Sequence, residues 1–411
     1  MKPAAMAALV GVLAAATAIS QFFRNSVGVI ATTLAAELHL TADQLGTLTS
    51  SFFLVFAICQ IPVGIVIDRY GPRAAMLGSA LFVVAGSATF AMASSNGGLI
   101  LGRLLLGIGC STLLMAPLVI YSRVFPPQTF ATLAGIQISL SSIGTLVATA
   151  PLAIVTAQFG WRSAFLATTG LAIILTIAVA VVTRGPSAGP RSDGPRETLR
   201  ATLDGVRRAI RVKGVWQLFL IQFATYSTFG LFIGLWGGPY LAHIHGADLT
   251  MQGNLLFVMA VCQIIGTLFW GLADRLVAAY RPVTLTAGFL SVAAMGVLIL
   301  AGHRLDLFGI GLVVAVLGFV CAFTPVILAH GKSLFPPDIT GRGMALLNMG
   351  TMSGSFITQW VTGLAVKAVA GDALVYPLQA FQLAFTLQTM LLIAALCAYA
   401  SAPDPRRGLG S

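Results

Sequence analysis

The stretch Ala57-Ile58-Cys59-Gln60-Ile61-Pro62-Val63-Gly64-Ile65-Val66-Ile67-Asp68-Arg69-Tyr70-Gly71-Pro72-Arg73 decides how this chain folds. It is an apolar run that ends in a charged turn, and it has an echo. Ala260-Val261-Cys262-Gln263-Ile264 leads to Gly271-Leu272-Ala273-Asp274-Arg275, roughly 200 residues later. Further echoes stand in nearly the same register. Gln21-Phe22 with Ser26 recurs as Gln222-Phe223 with Ser227, and Phe125-Pro126-Pro127 recurs as Phe335-Pro336-Pro337. Such a set reads as two copies of one helical unit.

The units are membrane-embedded. Charged residues make up 9% of the chain, the hydrophobic set 57%, and the mean hydropathy is +0.94, whereas a soluble domain carries about 25% charge. Read in windows of about 20 residues, enough to cross a hydrocarbon core of about 30 Å, the sequence predicts twelve spans. They lie near 5–36, 43–66, 74–95, 98–122, 129–157, 162–183, 214–241, 251–272, 282–302, 307–330, 342–368 and 377–400. The expected fold is therefore an all-α membrane protein of two six-helix pseudo-repeats. The first apolar run is too long for the core of a cleaved signal peptide. The expected organisation is a six-helix half at 1–183, a basic linker at 184–213, a second half at 214–402 and a tail at 403–411. The first part of the linker is too rich in Pro and Gly to hold a helix, and Glu197 to Lys213 is predicted to form a surface amphipathic helix.

Charge outside the spans orients the bundle. With both termini cytoplasmic, the inner side holds Lys2, Arg69, Arg73, Arg123, the linker arginines with Lys213, Arg275, Arg281, Lys332, Arg342, Arg406 and Arg407. Only Arg162, Arg304 and Lys367 fall outside, as the positive-inside rule expects. The net charge of +11 thus reflects topology and needs no nucleic-acid partner. The linker is expected mainly as a solvated connector, with anionic lipid of the inner leaflet as the alternative partner.

Two charges break the apolar pattern. Arg24 and Arg103 sit inside spans one and four, and no acidic residue lies at comparable depth. Buried charge in lipid is costly and marks a functional site by default. Arg24 precedes Glu37 by about thirteen residues, roughly 20 Å of helix, beyond the reach of a snorkelling side chain. Arg103 lies only about 10 Å from the end of its span, so snorkelling to the headgroups is an alternative reading there. A guanidinium fork suits the paired oxygens of a carboxylate, nitrate or phosphate. The repeat places Thr225 where Arg24 stands, so the site is expected to be asymmetric. Neutral polar residues that complete such a pocket, or serve as hydrogen-bonding glue between helices, are Asn25, Gln60, Tyr121, Ser139, Ser142, Gln222, Tyr226, Gln263, Asn348 and Gln359. Gly107, Gly109, Gly135, Gly144, Gly350 and Gly354 are expected as close-packing contacts.

The segment Gly64 to Arg73 resembles the major facilitator superfamily signature Gly-x-x-x-Asp-Arg-x-Gly-x-Arg, and its half-repeat version is Gly271-Leu-Ala-Asp274-Arg275. The resemblance covers essentially the whole chain. It implies that Gly64, Asp68, Arg69, Gly71 and Arg73, with Asp274 and Arg275, form a cytoplasmic conformational latch, Gly64 letting the helices approach. Phe23-Arg24-Asn25-Ser26, Glu37-Leu38-His39-Leu40-Thr41, Gln60-Ile61-Pro62, Arg103-Leu-Leu-Leu-Gly107, Ala116-Pro117 and Gly160-Trp161-Arg162 resemble the anion:cation symporter branch. In that branch an acid precedes the arginine of span one and another follows the arginine of span four by seven residues. Here those positions are Phe23 and Cys110. The resemblance implies an anion-binding pair without the usual proton-handling acids.

Other chemistry is not expected. Cys59, Cys110, Cys262, Cys321 and Cys397 contain no short-spaced pair, so neither a zinc site nor a disulfide frame is suggested. No cofactor, no metal and no catalytic set is expected. His243 and His245 read as a wetted helix end, and His330, near the inner end of span ten, as a weak proton carrier. The expected function is a secondary or facilitative carrier of a small anion, a monomer in a bacterial inner membrane, cycling by alternating access around Arg24 and Arg103. The alternative is an efflux carrier for a drug-like or amphipathic compound, against which span five lacks a close Gly-Pro-x-x-Gly-Gly cluster.

Overall fold

The computed structural model describes residues 3–185, 189, 199–277, 279–336 and 339–405. Lys2, Arg191, Arg196, Arg406, Arg407 and Pro337 lie outside the described residues. Among the described residues nine helical stretches are long and apolar enough to cross a membrane. Two of these, 42–91 and 132–182, are double crossings broken at Gly71 and Gly160. The helix Thr340–Ala370 is long enough but carries Asn348, Thr351, Ser355, Thr358, Gln359 and Thr362, and it brings the crossings to twelve.

Span one is Pro3–Leu38, and spans two and three share Ala42–Ala91. Span four is Asn96–Cys110 with Met115–Val124, span five starts at Pro127–Val147, and Ala150–Val182 carries its end and span six. Span seven is Val215–Leu231 with Phe232–Trp236 and Gly237–His245; span eight is Leu249–Val277, and span nine Tyr280–Leu300. Span ten is Leu307–Val320 with Thr324–Leu334, span eleven Thr340–Ala370, and span twelve Leu378–Tyr399. Residue contacts divide the chain into two compact units. One is Met1–Val27 with Ser51–Thr198, and the other is Gly28–Ser50 with Leu199–Ser411.

In the first unit the turns explain their sequence. Gly71 has φ 85° and ψ 158°, a conformation open to glycine and strained for any side chain, so the turn between spans two and three requires it. Arg73 Nη2 donates to the Ala180 carbonyl, 3.1 Å away, near the end of span six, where free helix carbonyls favour a cation. Gly160 has φ 79°. Beside it Trp161 is buried against Phe90 and Phe165, and Arg162 Nη2 donates to the Ala93 carbonyl at 2.9 Å, just past the end of span three. Ser95 caps span four by accepting from the Gly98 amide.

Small residues let backbones meet. A Cβ at Gly107 would fall 2.7 Å from the Phe52 carbonyl oxygen, one at Gly109 2.7 Å from the Val83 nitrogen, and one at Gly144 would overlap the Ala18 carbonyl. Gly135 does not belong to this set. A Cβ there meets nothing within 4 Å, and Gly64 and Gly271 are equally open. The expectation that Gly135 and Gly64 serve close approach is therefore corrected, because each presents its Cα side to open space.

Span four is interrupted at Ser111–Leu114 and span ten at Cys321–Phe323, at matching places in the two repeats. Each break precedes a proline, Pro117 or Pro325, which lacks the amide proton that would close the preceding turn. In span four the carbonyl thus released, that of Leu113, accepts from the Thr17 hydroxyl of span one.

In the second unit spans seven and eleven pack closely. Gly354 lies on the Phe223 backbone and Gly350 on the Phe219 ring. Span seven widens into a π-helical turn at Phe232–Trp236. Gly28 lies on the Ile233 carbonyl of that turn, and Gly46 sits against the Gly363 backbone. The linker forms a helix at Leu199–Ile210 whose Gly205 is covered by the Arg342 side chain, while Arg207, Arg208 and Arg211 are exposed. The expected surface helix is thus present over its described part.

Candidate functional site

The site begins with span two, which presents Phe52 and Phe56 one helical turn apart, their ring centroids 5.9 Å from each other. The guanidinium carbon of Arg24 lies 4.9 Å from the Phe56 ring centroid, and that of Arg103 lies 4.7 Å from the Phe52 centroid. Two cations from spans one and four therefore rest on adjacent faces of one aromatic ladder, each contact contributing about 0.5–2 kcal/mol. Both lie within electrostatic reach of the Cys110 sulfur.

The two arginines differ in exposure. Arg24 is half-buried, whereas Arg103 is fully buried and its Nη1 donates to the Phe23 carbonyl of span one. The snorkelling alternative for Arg103 is thereby overturned. Its side chain runs inward to span one, not outward to the headgroups. At the two positions where the resembling branch carries acids, Phe23 is buried in a cluster with Phe22 and Phe165, and Cys110 is 1% exposed. The backbone of residue 23 supplies an acceptor where that branch has a side-chain carboxylate.

The neutral candidates divide. Asn25 is buried and donates to the Gln21 carbonyl and to Thr145 Oγ1, at 3.1 and 3.2 Å. Gln60 is buried and donates to the Phe56 carbonyl at 3.3 Å, which brings it to the same turn as the ring that carries Arg24. Tyr121 is fully buried, and its hydroxyl donates to Gln137 Oε1 at 2.6 Å. Gln137 Nε2 in turn donates to Thr17 Oγ1 at 2.6 Å and to the Leu13 carbonyl at 3.0 Å. Tyr121 thus ties spans one, four and five together. Ser139 is exposed, and the Ser142 hydroxyl is spent on the Ile138 carbonyl. Gln137 and Thr17 were not anticipated. The signal that finds them is the carbonyl freed by Pro117.

In the second unit Gln222 is 2% exposed and Thr225, the repeat mate of Arg24, 1%. Gln222 Oε1 and Thr225 Oγ1 have no hydrogen-bond partner among the described residues. Gln359 Nε2 donates to the Gly230 carbonyl at 3.3 Å, and a Cβ added at Gly230 would lie 4.0 Å from the Tyr226 ring and the Ser355 hydroxyl. Tyr226, Gln263 and Asn348 are half-buried, and Gln263 Nε2 reaches Thr267 Oγ1 at 3.5 Å. Of the residues expected to form a latch, Asp68 and Arg69 are exposed, with the Arg69 guanidinium 5.4 Å from the Tyr70 centroid, and Asp274 is buried beside exposed Arg275. His243 is not a wetted end. Its Nδ1 accepts from the Tyr376 amide at 3.1 Å and its ring packs on the Tyr376 ring.

Twelve crossings in two units, with cations held inside the apolar region of one, define a membrane carrier and not an enzyme. The chain belongs to the Major Facilitator Superfamily, whose family model matches residues 13–238. It is 22% identical over 402 residues to the hexuronate transporter of Escherichia coli K12, covering 94% of this chain and 92% of that one. It is also 22% identical to the galacturonate transporter of Dickeya chrysanthemi, over 72% and 88% of the two chains. Its fold matches that of a bacterial homologue of the human lysosomal transporter Spinster, solved inward-facing and unoccupied, with a TM-score of 0.79, 16% identity and 97% of each chain covered.

Proposed function

We propose that this protein is a secondary carrier of a small organic anion, whose carboxylate is received by the guanidinium groups of Arg24 and Arg103. The observation that carries this reading is the pair of cations on the Phe52–Phe56 ladder. Two like charges set side by side in a low-dielectric region repel each other, and a carboxylate between them relieves that repulsion. The hexuronate and galacturonate transporters among its relatives point to a sugar acid as the substrate class. Asn25 and Gln60, in the same unit as both arginines, then offer neutral donors and acceptors suited to hydroxyl groups.

With acids absent at positions 23 and 110, anion exchange or uniport needs no protein carboxylate in span one or four, and a symported proton travels on the substrate. The carrier works as a monomer in a bacterial inner membrane with both termini cytoplasmic. Asp68, Arg69, Gly71, Arg73, Asp274 and Arg275 serve as the latch of alternating access, and the linker is a solvated connector. The test is counterflow of labelled hexuronate into proteoliposomes loaded with a panel of unlabelled organic anions. Uptake driven by at least one of them, lost in Arg24→Ala, is the expected result. Normal counterflow by Arg24→Ala ends the reading.

A further inference from the structure

The chain beyond span twelve turns back across the second unit, and the anion site makes no use of it. The Ser401 and Ala402 amides donate to the Ala398 and Tyr399 carbonyls, at 3.2 and 2.9 Å, so the chain leaves the helix in a tight turn. Ala402 is then buried in one apolar core with Ala209 of the linker helix, Val215 of span seven and Tyr280 of span nine. Pro403 follows, and its ring covers Gly214, the residue through which the linker enters span seven. A Cβ at Gly214 would fall 2.6 Å from that ring. Gly214 also has φ 93°, a left-handed conformation that favours glycine, so its backbone and its cover both demand this residue. The Pro403 carbonyl, which can only accept, takes a hydrogen bond from His330 Nε2 of span ten at 2.7 Å.

The next residue of the segment supplies what span nine lacks. That helix, Tyr280–Leu300, begins after Ala279, whose side chain makes no capping bond. The first amides of a helix have no partner inside it, and an N-cap side chain normally accepts from the second or third of them. Arg281 is the second residue of span nine, and its amide donates to Asp404 Oδ2 at 3.0 Å. The cap is thus supplied from 123 residues away. A carboxylate at this place also meets the positive end of the helix dipole.

We propose that the segment 402–404 is a strap that fixes the entry of the linker to the second unit, with Asp404 acting as the cap of span nine. Three consecutive residues touch the linker end, span ten and span nine, so each contact holds the others in place. Movement of the linker then stops at Gly214 and does not pass into span seven. The strap is independent of the anion reading, and its test involves no transport.

The test is hydrogen exchange, read by mass spectrometry on the full chain in detergent, in peptides covering 213–218 and 279–285, with 302–306 as the reference. Exchange reports local opening. Loss of an N-cap carboxylate weakens a helix start by an amount that corresponds to about two- to thirtyfold in an opening equilibrium. Asp404→Ala is therefore expected to speed exchange by that factor in both test segments and to leave the reference at the parental rate. Asp404→Asn, an equally good cap, should keep the parental rates in both. Pro403→Ala removes the ring atoms over Gly214 and keeps the carbonyl that faces His330, so it should speed exchange at 213–218 more than at 279–285. Trypsin adds a second readout. The bond between exposed Lys213 and buried Gly214 should be cut faster in Asp404→Ala than in the parent, relative to the bond after exposed Arg304. Faster exchange at 279–285 alone, an equal rise in all three segments, or an Asp404→Ala chain that exchanges like the parent would overturn the proposal.

Discussion

The Arg103 side chain of span four donates to the backbone carbonyl of Phe23 in span one. A charge near enough to the span's end to reach the headgroups is instead held by the chain next to Arg24. A main-chain oxygen cannot be protonated near neutral pH, so Arg103 keeps this acceptor throughout the physiological range. A side-chain acid at position 23 would be open to titration.

Arg103→Ala is expected to abolish counterflow. It also empties a fully buried site and removes the guanidinium bond to the Phe23 carbonyl, a loss of about 1–3 kcal/mol. Arg103→Lys retains the charge and loses the flat stacking on Phe52, so it should fold and bind the anion at least about tenfold more weakly. Thermal unfolding with and without hexuronate reads both effects. Unchanged affinity in Arg103→Lys would remove Arg103 from the site.

Phe56→Leu takes the ring from under Arg24 while keeping an apolar side chain of similar reach. The cation–π contact accounts for about 0.5–2 kcal/mol, so anion affinity should drop about two- to thirtyfold, with Phe56→Tyr close to the parent. Isothermal titration with the counterflow substrate measures it. Equal affinity in Phe56→Leu would show that the ladder does not orient the charge.

Tyr121→Phe leaves Gln137 Oε1 without its donor in a buried network. Stability should fall by about 1–3 kcal/mol while anion affinity stays at the parental level. A selective loss of affinity at unchanged melting temperature would return Tyr121 to the pocket.

Gly144→Ala and Gly135→Ala separate packing glycines from open ones. The first forces a methyl onto the Ala18 carbonyl, and the second meets open space. Gly144→Ala should cost about 1–3 kcal/mol or more. Gly135→Ala in a helix should be neutral or stabilising by up to about 1 kcal/mol. Melting temperatures of the two variants decide, and equal shifts would contradict the packing described here.

The sequence by itself determined the membrane class, the twelve crossings, the two-fold repeat and the two intramembrane arginines. These are properties of composition and period, and a bilayer reads them without reference to tertiary contacts. The missing acids at Phe23 and Cys110 were equally legible, since a motif position is a one-dimensional fact. Only the tertiary structure decided what each polar or small residue faces. A helix has no marked face until its neighbours are in place. Nothing in the local sequence separates Gly135 from Gly144, or Tyr121 in its buried network from half-buried Tyr226. The Phe52–Phe56 ladder under the arginines and the strap of the tail across Gly214, His330 and Arg281 join residues that are remote in sequence. They exist because spans one, two and four, and spans seven, nine, ten and twelve, pack within side-chain reach.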